Sequence, residues 1–282
     1  MSASADPVPA IVESEAVGEI KDIFDDIKST TGVGVVNLIW RRLAVTEGAL
    51  QAVWNMLRPL YTTGLLNAEA RHFRENVILP KLPKLSQPVL LAAGIDTLGQ
   101  KTITTILESY NRTNLINLIS LRAGLARLNS VAEYNEIKVE KVEEVPLDPL
   151  PPLPAMAVLD SHIRILIENL NSICEEDGTI IASMYRHLAY WPGYLSLIKT
   201  LLDPVVENGR VQSIINAVRD DSSSQGIRVA SHLTPIDPTL NEVVLADIKT
   251  VLTLFTEHPL SKMVVICGML LEATTRREED NK

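Results

Sequence analysis

Residues 35–64 read VVNLIWRRLAVTEGALQAVWNMLRPLYTTG, and residues 180–209 read IIASMYRHLAYWPGYLSLIKTLLDPVVENG. Laid over each other with a shift of 145 and no gap, the stretches agree at eight of thirty positions. The shared residues are Arg41/Arg186, Leu43/Leu188, Ala44/Ala189, Gly48/Gly193, Leu50/Leu195, Leu57/Leu202, Pro59/Pro204 and Gly64/Gly209. The same shift sets ILESYNRTNLINLIS (106–120) over VLTLFTEHPLSKMVV (251–265). A register held over so long a span predicts an internal duplication. With a long repeat in two copies, it predicts a pseudo-dimer rather than a solenoid.

The copies are helical in pattern. Val36, Ile39, Trp40 and Leu43 recur at three and four residues, and TITTILESY, LINLISLRAGLARL and DIKTVLTLFTE behave alike. Alternating patterns closed by hairpin dipeptides are missing. The expected class is all-α. Between the copies lies KVEKVEEVPLDPLPPLPAM (138–156), with Pro146, Pro149, Pro151, Pro152 and Pro154. Proline at that density removes backbone donors and clashes with the preceding turn, so a stiff extended linker is expected. The division that follows is a first helical repeat over 1–137, the linker over 138–156, a second repeat over 157–276 and a tail over 277–282.

The register also predicts a helix break. Pro259 overlies Asn114, and a proline is best placed in the first turn of a helix. One helix is expected to end near Phe255 and another to start near Pro259. By the same register Tyr110–Thr113 is expected to be a turn and Asn114 a helix start, where free N–H groups favour an anion.

Composition narrows the function classes. Apolar residues make up 46% of 282, enough for a sizeable core. The net charge of −9 and pI near 5.1 argue against a nucleic-acid binder, which needs a basic stripe. The first residues, MSASADPVPAIVE, have no basic and apolar secretory pattern. The apolar run MVVICGMLL (263–271) is too short to span a bilayer by itself. The expectation is a cytoplasmic protein without nucleic-acid or membrane partners, with a homodimer left open. Two distant cysteines, Cys174 and Cys267, imply neither a disulfide framework nor a CxxC metal site.

Candidate chemistry is sparse. Gly32-Val33-Gly34 follows a helical pattern rather than a strand, so it reads as a turn and not as a dinucleotide fingerprint. None of the five histidines has a metal-ligand spacing, and no metal or other cofactor is expected. Ser183 and His187 stand four apart, on one helical face. A nucleophilic serine would also need an orienting group and an oxyanion hole, and neither is visible. The simpler reading is a packed or surface pair. The terminal RREEDNK reads as a frayed, solvated end.

The duplicated helical plan, the proline linker, LAYWPGYL (188–195) and YNRTNLINL (110–118) together resemble the group I 2-haloacid dehalogenases. The resemblance covers nearly the whole chain. It implies cleavage of the carbon–halogen bond of small 2-halocarboxylic acids at a site between the repeats, without a metal or organic cofactor. It further implies an aspartate that activates water and an asparagine that helps hold it. The family's Ser-Asp pair before ALAxWP falls on Ser183 and Met184. Its NxxNP asparagine falls on Asn114, with Leu115 where proline would stand, and a tyrosine three residues on is Asn117. Its VPWVAF pocket stretch falls on VGVVNL, so the Trp and Phe become Val35 and Leu38.

Met184 therefore stands at the base. A thioether accepts no proton at neutral pH, and general-base help is worth about 10²–10⁴ in rate. The loss of two aromatic walls implies a wider cavity. The expected site takes a small organic molecule, with Val35, Leu38, Asn117 and Met184 binding it and Asn114, Ser183 and His187 as the candidates for chemistry. Three readings follow: an enzyme on this scaffold with chemistry other than standard dehalogenation, a dehalogenase with His187 as a displaced base, and a binding protein without turnover.

Overall fold

The computed structural model describes residues 8–130, 146–175, 180–233, 235–237 and 239–275. Among these residues the regular structure is helical and no strand is present, in line with the expected all-α class. The first segment carries α1 (Gly18–Thr31), α2 (Leu38–Leu43), α3 (Ala49–Thr62), α4 (Leu65–Asn76), α5 (Gln87–Ala92) and α6 (Thr97–Leu128). The second carries α7 (Ser161–Asn171), α8 (Ser183–Leu188), α9 (Pro192–Glu207), α10 (Arg210–Ala230), α11 (Glu242–Phe255) and α12 (Ser261–Thr274).

Local chemistry sets these ends. The glycine-valine-glycine stretch falls in the turn after α1, as expected. α4 and α10 both start after a glycine in the left-handed region, Gly64 at φ 79° and Gly209 at φ 72°, where a side chain would be strained. Asp96 caps α6 by accepting from Gly99 N at 2.7 Å, which satisfies one of the orphan N–H groups of the first turn.

α6 is the axis of the molecule. At about 1.5 Å per residue its 32 residues run roughly 48 Å. Twenty of them are buried, and α3, α4, α8, α10, α11 and α12 pack around it. Gly226 lets α10 come close: a Cβ there would lie 2.5 Å from Arg122 Cβ and 2.8 Å from its carbonyl carbon. Buried residues of both segments join in one core, from Leu50, Leu57 and Leu118 to Leu195, Leu252 and Val265. Each such side chain contributes about 1.5–3 kcal/mol by leaving water.

Two expectations along the rods are corrected. α6 runs unbroken through Tyr110–Thr113, so Asn114 lies within a helix rather than at its start. The reason is Leu115: without a proline there, no backbone donor is lost and no carbonyl is pushed aside. In the second segment α11 does end at Phe255, but Thr256–Leu260 form a π turn that leads straight into α12. The rod bulges at Pro259 rather than breaking, and Ser261 Oγ donates to the Thr256 carbonyl at 2.6 Å. The Glu242–Thr274 rod is long and apolar enough to cross a bilayer, but 72% of its most apolar window is buried inside the fold. A helix buried on all sides is apolar on all sides.

Residues 138–145 of the expected linker, residue 276 and the expected tail over 277–282 lie outside the described residues. Residues 146–155 carry no helix and form a strap over the molecule. Prolines lack an N–H but keep their carbonyls. The strap offers these to the second segment: Arg186 Nε donates to Pro154 O at 2.9 Å and Tyr190 to Pro152 O at 2.8 Å. Toward the first segment, Lys101 and Asp148 pair at 3.0 Å.

Candidate functional site

The short helices α2 and α8 come together against the middle of α6 and the π turn. Between them lies an inner cavity of about 40 Å³, measured for the centres of water-sized molecules. Leu38 of α2, Asn114 of α6, and Ser183 and Met184 of α8 all face it. These four expected residues meet in one place. The cavity is narrow, which corrects the expected widening. Met184, Ile180, Ile181, Leu260 and Met263 also line it. A water needs at least about 10–15 Å³ on such a measure, so the cavity holds a few heavy atoms.

Three other expected residues lie elsewhere. Val35 faces a separate outer cavity beneath the strap. Asn117 is buried and does not line the inner cavity; its Oδ1 accepts from Tyr61 at 2.9 Å. His187 also lines the outer cavity, yet it reaches the inner one through a partner. Its Nδ1 lies 2.7 Å from the Tyr110 hydroxyl, and Tyr110 lines the inner cavity. The Tyr110–His187 pair thus links the two spaces.

The proton positions follow from acceptors. His187 Nε2 is 3.0 Å from Pro151 O, and a carbonyl only accepts. Nε2 therefore carries the proton, Nδ1 accepts, and the Tyr110 phenol donates. Burial lowers the His187 pKa to about 4, with the Arg186 and Arg41 charges adding to the effect. Burial raises the Tyr110 phenol well above its ordinary value. Both groups are neutral at pH 7.

Met184 is 1% exposed, and its Sδ lies 3.3 Å from Cys267 Sγ. Asn114 Nδ2 points to the same sulfur at 3.5 Å. Burial pushes the Cys267 thiol up to about 12, so it is no thiolate nucleophile. The Ser183 hydroxyl is buried beside the Tyr110 phenol without the geometry of a formed hydrogen bond. Among the described residues lining the inner cavity none is Asp, Glu, Lys, Arg or His. Nor do His, Cys, Asp and Glu side chains cluster anywhere among the described residues in a way that would hold a metal.

Similar folds are known. The chain shares the fold of the D-2-haloacid dehalogenases. One such structure, of a mutant enzyme, superposes with a TM-score of 0.79 at 17% identity over 95% of this chain and 96% of that one. A mutant in complex with D-2-CPA gives 0.77 at 16%, covering 95% of each chain. The enzyme in complex with L-LA gives 0.79 at 18%, over 95% and 96%. No protein-family model and no curated protein matches the sequence. At this identity the likeness is one of fold.

On this dehalogenase-like fold, sequence reasoning missed Tyr110, Asn37 and Phe255 as cavity residues. A signal was present. Tyr110 and Phe255 are 145 residues apart, in the register that pairs Asn114 with Pro259. Tyr110 was assigned to a turn, and that hid it.

Proposed function

We propose that the protein holds a small organic molecule in the inner cavity of a 2-haloacid-dehalogenase-like scaffold and does not perform standard hydrolytic dehalogenation. The observation that carries this reading is the cavity wall itself. Where the resemblance calls for a water-activating carboxylate stands Met184, packed on Cys267. No other lining group takes its place as a base. Mostly apolar walls with a few polar handles, here Asn37, Asn114, Ser183 and Tyr110, are typical of small-molecule sites. The size suits an occupant of a few heavy atoms.

The displaced-base reading loses support. The Nδ1 lone pair of His187 already accepts from Tyr110, and a group with a pKa near 4 is a weak base. An enzymatic reading of another kind keeps one observation in its favour. Tyr110, held in line by His187, stands next to the Ser183 hydroxyl, and the two can orient a reacting group in the cavity.

The test is chloride release from both enantiomers of 2-chloropropionate. The expected result is no release above background from the wild type. Met184→Asp should give weak turnover at most, since a carboxyl in an apolar wall tends to stay protonated. Robust wild-type release would overturn the reading, and its loss in His187→Ala would restore the displaced base. Mass spectrometry of small molecules that co-purify with the protein would identify the occupant.

A further inference from the structure

The hydrogen bonds around the inner cavity leave it a one-sided set of polar groups. Asn37 Nδ2 donates to Thr113 Oγ1 at 3.1 Å, and that hydroxyl donates to Ser109 O at 2.8 Å. Thr113 can therefore only take a donor from Asn37, which turns the Asn37 Oδ1 away from it. Asn114 is oriented in the same way: the Cys267 thiol donates to Met184 Sδ, so its sulfur accepts from Asn114 Nδ2. The Tyr110 proton is taken up by His187 Nδ1. All three residues line the cavity, each with an oxygen left to accept.

The hydroxyl donor in the wall is Ser183. Its side chain is 8% exposed, and its Oγ has no partner among the described residues. A buried hydroxyl without a partner carries a desolvation cost, which an occupant can offset. No lining residue is charged, so an ion here would lose its water without gaining a counter-charge. The Arg41 and Arg186 guanidiniums lie within electrostatic reach of Tyr110, but they face the outer cavity and have partners of their own.

A carboxylate only accepts, and it would meet three acceptors and one hydroxyl. A primary amide has two N–H donors and one carbonyl, the complement of this set. The room of about 40 Å³ is that of about three waters, which suits a body of two or three carbons. Leu38, Ile181, Phe255 and Met263 give that body an apolar wall.

We propose that the inner cavity selects a short neutral primary amide, with its N–H groups toward Asn37, Asn114 and Tyr110 and its carbonyl toward Ser183. This rests on the reading of the cavity as a small-molecule site and adds the class of its occupant.

NMR titration of protein labelled in the methionine methyls tests it, because Met184 and Met263 report from the cavity wall and Met56 does not. Propionamide is the probe. Propionate, propionamidinium and butan-2-one match its shape and are, in turn, anionic, cationic and without N–H groups. Propionamide should move the Met184 and Met263 signals saturably. The two ions should bind at least about a hundredfold more weakly, and butan-2-one about three- to tenfold more weakly. Ser183→Ala should weaken propionamide and butan-2-one alike, by about three- to tenfold, since both present a carbonyl. Either ion or the ketone binding as tightly as propionamide overturns the assigned class and leaves the small-molecule reading standing. Unchanged propionamide binding in Ser183→Ala does the same. If none of the four probes moves the Met184 and Met263 signals, the small-molecule reading falls together with the class.

Discussion

The two walls of the inner cavity are related by the 145-residue register of the sequence and differ in chemistry. Ten of its fourteen lining residues fall into pairs 145 residues apart: Asn37/Ala182, Leu38/Ser183, Ile39/Met184, Tyr110/Phe255 and Asn114/Pro259. The first segment contributes two amides and a phenol, and the second a methyl, a thioether, a benzene ring and a proline. Only Leu38/Ser183 reverses that order. Two equal copies would give a ligand two equal ways to bind. Unequal walls would give the occupant proposed above one way, with its polar end toward Asn37, Tyr110 and Asn114. The short helices show the same mixture of likeness and difference. α2 sits on α11 of the other segment, where Asp247 accepts from Arg42 at 3.0 Å and Thr46 at 2.6 Å. α8 sits on α6 of the other segment through His187 and Tyr110. Each segment therefore completes the other's packing.

The pair expected to differ most is Asn117/Lys262. Both are 1% exposed. Asn117 accepts one hydrogen bond from Tyr61 and leaves its Nδ2 unbonded. Lys262 donates to Asn171 O at 2.6 Å and to the Glu175 carboxylate, which ties down the approach to α8. Lys262→Met should cost up to about 3–5 kcal/mol, because it takes the ammonium from the half-buried Glu175 carboxylate and leaves it only His258 at 3.5 Å. Asn117→Leu should cost only about 0.5–1.5 kcal/mol. Urea denaturation midpoints measure both, and Glu175→Gln added to Lys262→Met should recover part of the loss. Equal costs at the two positions would break the comparison.

Arg42/His187 differs in its response to pH. Arg42 pairs with Asp247 at 3.0 Å, whereas buried His187 is neutral down to about pH 4. Its unfolded value is near 6.5. The folded pKa is the lower one, so the stability tied to neutral His187 is fully present above pH 6.5. It is lost as pH falls toward 4, while the unfolded chain takes up the proton and the folded chain does not. A gap of this size corresponds to about 3 kcal/mol across that window. His187→Gln should flatten the slope between pH 6.5 and 4 in urea titrations; an unchanged slope would mean that the imidazole protonates in place.

The helical class could be read from the spacing of Trp40, Leu43 and their neighbours, because burial on one helical face imposes that spacing. The positions of Leu38, Asn114, Ser183 and Met184 around one cavity were legible through the resemblance. The unbroken course of α6 was not. The register carried a break over from Pro259, but a break depends on the proline ring, and only the second segment has one. The narrowness of the cavity was hidden for another reason. Counting lost aromatics predicts space, while Met184, Met263 and Ile181 come from separate elements that meet only in the fold. Val35 was misplaced because neighbouring residues of an irregular turn face different cavities, and no period describes such a turn.

The smallest expected effect is at Trp40/Tyr185, and its sign is the informative part. Both rings are fully buried, and Tyr185 stands at the centre of α8. The Tyr185 hydroxyl has no hydrogen-bond partner, and burial raises its pKa far above the ordinary value. A hydroxyl taken from water without a new partner carries a desolvation cost. Tyr185→Phe removes that group and keeps the ring, so it should stabilise the protein by up to about 1 kcal/mol. Trp40 makes edge-on contacts with Trp54 at 5.3 Å and Tyr61 at 6.3 Å. Trp40→Phe surrenders ring area there, and although it also removes an indole N–H that is equally without a partner, it should destabilise by about 1–2 kcal/mol. Opposite signs at the two positions would show that each carries an unsatisfied polar atom and that they differ in how much ring packing the substitution gives up. Thermal unfolding of the two variants decides the matter: a loss in Tyr185→Phe would mean that the hydroxyl holds a bound water, and the two positions would then be alike after all.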